Sequence, residues 1–569
     1  MWEEPTMNRP TLLLASTLCL GIVLALMALG RSPARAADIT ITKHNLSSSG
    51  PGTVKSSSGA VCLFCHTPHA SNPIAPLWNR NDPGTYYQTY ESSTLKATVG
   101  QPTGSSRLCL SCHDGTIALT QTYNSRNAPG GPTVYISAAD RGYIGTDLSD
   151  DHPISFGFDA SLAISKGELR HPSTLPVELP LDHNGQLQCT TCHDAHDDTY
   201  GQFLRMDNRQ SRMCRTCHEI SGWDTSSHAQ SPALLSSSTW DNWDNLRVAS
   251  VRDAACETCH RPHSAGGRQR LLRHEAEESN CINCHDGSVA NTNIASAMQQ
   301  ISAHPVQQTT GVHDPTERPS SMREHVECAD CHDPHQVRQG TAATFAPDIK
   351  PSMRGASGVT GSGQELAQAS YEYQVCYKCH AQQNVATEIV SRTSGTNDIA
   401  DEFSPVNMSY HPVESQGRNL DVPSLLQSYR TTDQIYCSDC HSSSNPSYGK
   451  GPHGSAYRPL LASNYTTGSI VSESPHAYAL CYKCHSRASI LGDQSFDEHN
   501  KHIVDEQAPC SVCHDPHGVR ENANLINFDR NVVAPSARTG TGPTYSDLGN
   551  GRGSCVLLCH GEDHDGSED

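Results

Sequence analysis

The residues able to do chemistry are concentrated in one short pattern. Of the 25 cysteines, all but Cys19 fall into twelve pairs, each followed directly by a histidine. Eleven pairs are spaced Cys-x-x-Cys-His. They are Cys62/Cys65/His66, Cys109/Cys112/His113, Cys189/Cys192/His193, Cys214/Cys217/His218, Cys256/Cys259/His260 and Cys281/Cys284/His285, then Cys328/Cys331/His332, Cys376/Cys379/His380, Cys437/Cys440/His441, Cys481/Cys484/His485 and Cys510/Cys513/His514. The twelfth, Cys555/Cys559/His560, has three residues between its thiols, and the extra residue is expected to bulge within the same kind of turn.

This spacing is that of c-type haem attachment. Two thiols add to the vinyl groups of one haem, and the adjacent histidine ligates iron from the same local turn. A zinc ribbon takes its Cys-x-x-Cys pairs in twos and gives no reason for a histidine after every pair. A disulfide framework does not repeat one spacing twelve times, and a thioredoxin-like motif occurs once. The pattern therefore implies twelve c-type haems, with His66, His113, His193, His218, His260, His285, His332, His380, His441, His485, His514 and His560 as proximal iron ligands.

Twelve low-spin irons need twelve further axial ligands. Beyond the N-terminal apolar run only Met206, Met213, Met298, Met322, Met353 and Met408 remain, too few for the task. Histidine suffices, because 32 histidines less the twelve proximal ones leave 20. Five sites extend to Cys-His-x-x-His, which nominates His69, His196, His263, His335 and His517. Each is expected to ligate a neighbouring haem, since its own is already fixed over the proximal histidine. Pro68, Pro262, Pro334 and Pro516 would stop the helical turn and redirect the chain there. His152, His304 and His411 precede proline, which favours extended backbone able to reach over a haem face. His44, His228, His453 and His502 complete the set; His499 competes with His502, and His325, His476 and His564 are substitutes.

The elements that must position these groups are short. Only 35% of the 569 residues are hydrophobic and 6% aromatic, too few for several conventional cores. The haems themselves are expected to be the core. The fold class expected is a multihaem cytochrome, mostly coil with short helices and a few small hairpins wrapped round a chain of covalently bound haems. The order of motifs divides the chain into haem units at 37–240, 241–400 and 401–569, each with four haems, after a signal peptide at 1–36. That leader rests on the apolar run at 11–30 and the small-x-small Ala34-Arg35-Ala36. An uncleaved anchor and lipidation at Cys19 are the alternatives. Export to the periplasm, outer surface or beyond is the expectation. The formal charge of −20 argues against a nucleic-acid binder.

The stretches HNLS at His44, CLFCHTPH at 62–69, CLSCHDG at 109–115, HGS at 453–455, CSVCHDPHG at 510–518 and the terminal CVLLCHG carry a family resemblance. The sequence resembles the large outer-surface and periplasmic multihaem c-type cytochromes of metal-reducing bacteria, the group with doubled CxxCH motifs. The resemblance implies bis-histidine, low-potential haems arranged as a wire. Its partners would be other redox proteins or extracellular metal acceptors, with an outer-membrane conduit or a homopolymer as settings. Electron transfer without substrate chemistry is the leading reading, and no catalytic residue is assigned. The alternatives are a multihaem reductase with a catalytic haem, for which no CxxCK variant is present, and a subunit of a cytochrome filament.

Overall fold

The computed structural model describes residues 38–235, 250–308, 313–318, 325–340, 344–381, 389–396 and 398–567; the leader at 1–36 and Cys19 lie outside them. The chain is mostly coil with short helices and small antiparallel sheets. Among the described residues the two longest helices, Gly104–His113 and Glu372–His380, each end on the histidine of a Cys-x-x-Cys-His motif. Others are one turn and consist of a single motif, as in Cys189–Cys192, Cys328–Cys331, Cys437–Cys440 and Cys510–Cys513. Their local cause is visible in three of them. The polar second residue between the thiols, Thr191, Asp330 or Asp439, accepts a hydrogen bond from the backbone N–H just before the first cysteine, at 2.8–3.0 Å. A four-residue turn is thus capped from within.

Strands pin segments distant in sequence. Ser302–Ala303 pairs with Gly454–Ser455, and Ser409–Tyr410 with Gly518–Val519. Near the C-terminus, Val533–Ala534, Thr544–Gly549, Arg552–Cys559 and Glu562–Asp565 form a four-stranded antiparallel sheet with Arg552–Cys559 at its centre. One loop design recurs five times. The chain leaves a motif and returns so that the N–H of Asn79, Arg205, Arg273, Ala462 or Asn527 donates to the carbonyl of Cys65, Cys192, Cys259, Cys440 or Cys513, at 2.8–2.9 Å.

Among the described residues apolar side chains form small, separate clusters, such as Val359, Tyr373, Tyr377, Ala400, Phe403 and Val413. Between them runs a continuous cavity of about 3970 Å³, lined by both cysteines of all ten motifs from Cys189 to Cys559. Protein interiors pack to crystal density and leave few voids larger than a water molecule. A void of this size edged by thiols is a cofactor channel. Among the described residues no helix is long and apolar enough to cross a membrane.

Candidate haem-binding centres

The motifs define sites 1 to 12 in chain order. In nine of the first eleven, the histidine N–H donates to the carbonyl of the first cysteine at 2.8–3.1 Å; sites 2 and 8 close longer helices instead. One helical turn places residues three apart on the same face, so both thiols emerge together with the histidine beneath them. Burial pushes the thiols of Cys65, Cys192 and Cys331 up to about 12. The same desolvation pulls the imidazoles of His218, His260, His285, His380, His441, His485 and His514 down to about 4. These rings are neutral at neutral pH and have lone pairs available for a metal.

Each motif histidine of sites 1 to 11 faces a second histidine across a gap. The pairs are His66–His196, His113–His44, His193–His263, His218–His152, His260–His335 and His285–His228, then His332–His453, His380–His304, His441–His517, His485–His411 and His514–His499. Their ring centres are 6.0–6.4 Å apart throughout. An iron held between two imidazole nitrogens at about 2 Å on each side leaves the ring centres about 6 Å apart. Direct ring stacking would be far closer, as between His44 and Phe203 at 4.1 Å. The residues present therefore fit a bis-histidine haem.

Hydrogen bonds on the far side of the rings fix which nitrogen is offered. Left-handed residues Gln202, Arg270 and Asn524 turn their carbonyls onto Nδ1 of His193, His260 and His514, at 2.8–2.9 Å. With Nδ1–H donating outward, Nε2 faces the gap. The opposing histidines are oriented likewise, but in two ways. At sites 1, 3, 5 and 9 the partner is a carboxylate: Asp194 and Asp333 lie 3.5 Å from His196 and His335, Asp151 3.0 Å from His263, and Glu402 2.9 Å from His517. At sites 2, 6, 8 and 10 it is a backbone carbonyl, those of Ala195, Pro334, Pro452 and Pro516 accepting from His44, His228, His304 and His411. At site 4 the ring Nδ1–H of His152 donates to its neighbour's carbonyl, Pro153, at 3.0 Å, and it is the backbone N–H of His152 that donates to the Pro262 carbonyl at 2.8 Å. Ala195, Pro334, Pro452, Pro516 and Pro262 immediately precede His196, His335, His453, His517 and His263. The opposing ligands of sites 1 and 2, 3 and 4, 5 and 6, 7 and 8, and 9 and 10 are therefore locked together in a repeated two-site module.

Thiols join the sites in sequence order. Going from an odd to an even site, second cysteines come within electrostatic reach: Cys65 and Cys112, Cys192 and Cys217, Cys259 and Cys284, Cys331 and Cys379, Cys440 and Cys484, Cys513 and Cys559. From an even to an odd site it is the first cysteines: Cys109 and Cys189, Cys214 and Cys256, Cys281 and Cys328, Cys376 and Cys437, Cys481 and Cys510. No step is skipped from site 1 to site 12.

Of the twelve opposing histidines expected from sequence, the structure sets ten against motif histidines. It differs at two. His69 is exposed and meets no motif histidine among the described residues. The other four Cys-His-x-x-His residues each reach back to a site two motifs earlier. His502 faces His564 at 6.3 Å, while the competing His499 takes the place opposite His514. Site 12 also departs from the expected bulged turn. Its cysteines lie on the strand Arg552–Cys559, and His560 stands exposed in the following hairpin turn. The run Val556-Leu557-Leu558 and the glycine-rich stretch before it were the available strand and hairpin signals.

Comparison with known proteins agrees with this geometry. Residues 183–221 and 249–290 match the family described as doubled CXXCH motif, each match spanning one two-site module. Residues 436–515 match the family of cytochrome c554 and c-prime. The chain is a multihaem c-type cytochrome. Two curated relatives, each a C-type polyheme cytochrome OmcB from a strain of Geobacter sulfurreducens (DL-1 / KN400, and ATCC 51573 / DSM 12127 / PCA), are 24% identical over 322 residues. The match covers 53% of this chain and 34% of the relatives' length.

Proposed function

We propose that the chain conducts electrons along twelve bis-histidine haems arranged in sequence order. The observation that carries this is the unbroken succession of thiol neighbours from Cys65 to Cys559, combined with a histidine facing each motif histidine of sites 1 to 11 at iron-spanning distance. Haem, when bound, supplies one-electron exchange. The chain's own residues anchor it through paired thiols, offer Nε2 from both sides, and leave no open axial position at those eleven sites for a substrate. That favours a carrier over a reductase. The three units at 37–240, 241–400 and 401–569 then form one conductor: His152 and Asp150 of the first exchange backbone hydrogen bonds with Pro262 and Ala265 of the second, and the Ser302–Ala303 strand of the second pairs with Gly454–Ser455 of the third.

The apolar segment at 11–30 and the relatives' identity as polyhaem cytochromes support export, with transfer from the periplasm towards extracellular acceptors such as metal oxides or partner cytochromes. Intact-mass haem counting with carbon monoxide titration of the reduced protein tests the proposal. Twelve haems and no stoichiometric carbon monoxide adduct are expected. A lower count contradicts the wire, and a haem that binds carbon monoxide points to the reductase.

A further inference from the structure

We propose that the haem attached at Cys555 and Cys559 is held axially by His564 and His502, and that His560, the histidine of its own motif, is not a ligand. This rests on the reading above that the Cys555/Cys559 pair carries haem.

In an extended strand alternate residues share a face, so Cys555, Leu557 and Cys559 point the same way. Both cysteines pack against the cluster that contains Leu557. A spacing of two intervening residues would put the thiols on opposite faces of a strand; the third residue is what a strand attachment requires. His564 lies directly opposite Leu557 in the neighbouring strand. Cross-strand partners share a face, so His564 rises between the two thiols, the place a proximal ligand occupies beneath a haem.

His560 has no such position. It and Gly561 have φ of 50° and 90° and form the two-residue turn between Arg552–Cys559 and Glu562–Asp565, with His560 exposed. His502 supplies the second ligand. Its ring centre is 6.3 Å from that of His564, within the range of the other eleven pairs, and its Nδ1–H donates to the Glu498 carbonyl at 2.8 Å, leaving Nε2 free. The segment is held in place: the Asp497 N–H donates to the Gly551 carbonyl at 3.1 Å, and Glu506 lies within electrostatic reach of Cys559. His502 also continues the rule that each even site takes its opposing ligand from a histidine earlier in the chain, after His44, His152, His228, His304 and His411.

The test uses the full haem-loaded chain, with haems counted by intact mass and spin states by EPR of the oxidised protein. His564→Ala is expected to convert one haem per molecule to high spin, reversed by added imidazole. His502→Ala should also convert one, and the double variant still only one, because both serve the same iron. His560→Ala should leave every haem low spin. His564→Ala remaining wholly low spin, or one high-spin iron in His560→Ala, overturns the assignment; the His560 variant decides it even if His564→Ala does not fold. A native mass with no haem on Cys555 and Cys559 overturns the underlying reading instead.

Discussion

Through site 10, odd and even sites are built differently although their motifs read alike; His499 and His514 at site 11, at 47°, and His502 and His564, at 30°, stand outside the alternation. At sites 1, 3, 5, 7 and 9 the two imidazole planes lie at 17°, 36°, 8°, 20° and 33° to one another. At sites 2, 4, 6, 8 and 10 the angles are 74°, 83°, 81°, 52° and 71°. The source of the opposing ligand follows the split at all of these sites but site 7, whose His453 stands outside the motifs. Odd sites 1, 3, 5 and 9 receive the last histidine of a Cys-His-x-x-His segment, backed by a carboxylate. Four of the even sites receive a histidine from outside the motifs, hung by Nδ1 from the carbonyl just before an odd-site ligand. A wire of alternating elements thus comes from one doubled unit rather than from twelve individually designed sites.

The difference matters for potential. A carboxylate behind a ligating histidine makes it more basic and favours ferric iron, whereas a neutral carbonyl does so less. Sites 1, 3, 5 and 9 are therefore expected to be the lower-potential members of their pairs. Even sites are insulated from side-chain substitution, because their acceptor is main chain.

The largest expected effect erases the comparison altogether. Production without haem maturation should yield no cooperatively folded protein by circular dichroism melting, since the cavity of about 3970 Å³ would replace the core of both kinds of site; a cooperative apo-protein would contradict the claim that haem is the core. Next, His335→Ala and His228→Ala should each leave one high-spin haem by EPR, the first at an odd site and the second at an even one. His69→Ala should leave none, and a high-spin iron there would show that this exposed histidine serves a site after all. A smaller effect separates the two kinds: Glu402→Gln should raise one midpoint potential on the order of tens of millivolts in a spectroelectrochemical titration, while Pro516→Ala, which keeps its carbonyl, should shift none measurably. Equal shifts would remove the distinction. Smallest is the effect of the whole field. With a formal charge of −20, reduction of an anionic chelated metal should speed up modestly as ionic strength rises in stopped-flow traces.

Much of this was legible from spacing. The thiol pairs and their histidines stand in fixed one-turn patterns, and so do histidines such as His335, three residues beyond a motif, or His152 before a proline. Which iron each opposing histidine serves was not legible, because it depends on contacts between segments far apart in sequence. Nothing local says that His453 meets His332 or that His44 meets His113. Pro334 and Pro516 read as helix stops, while their larger role is to present an acceptor carbonyl to His228 and His411. Site 12 was hidden for a different reason: CVLLCH looks like a turn with one residue too many until the strands on either side of it are known.

The most direct measurement of the central claim is low-temperature EPR of the fully oxidised protein with spin quantitation. Relative ring orientation sets the anisotropy of low-spin ferric haem, so the alternation predicts two low-spin families, near-parallel and near-perpendicular, in comparable amounts and with no stoichiometric high-spin signal. A single family, or a high-spin iron in the native protein, would contradict a wire of alternating bis-histidine sites.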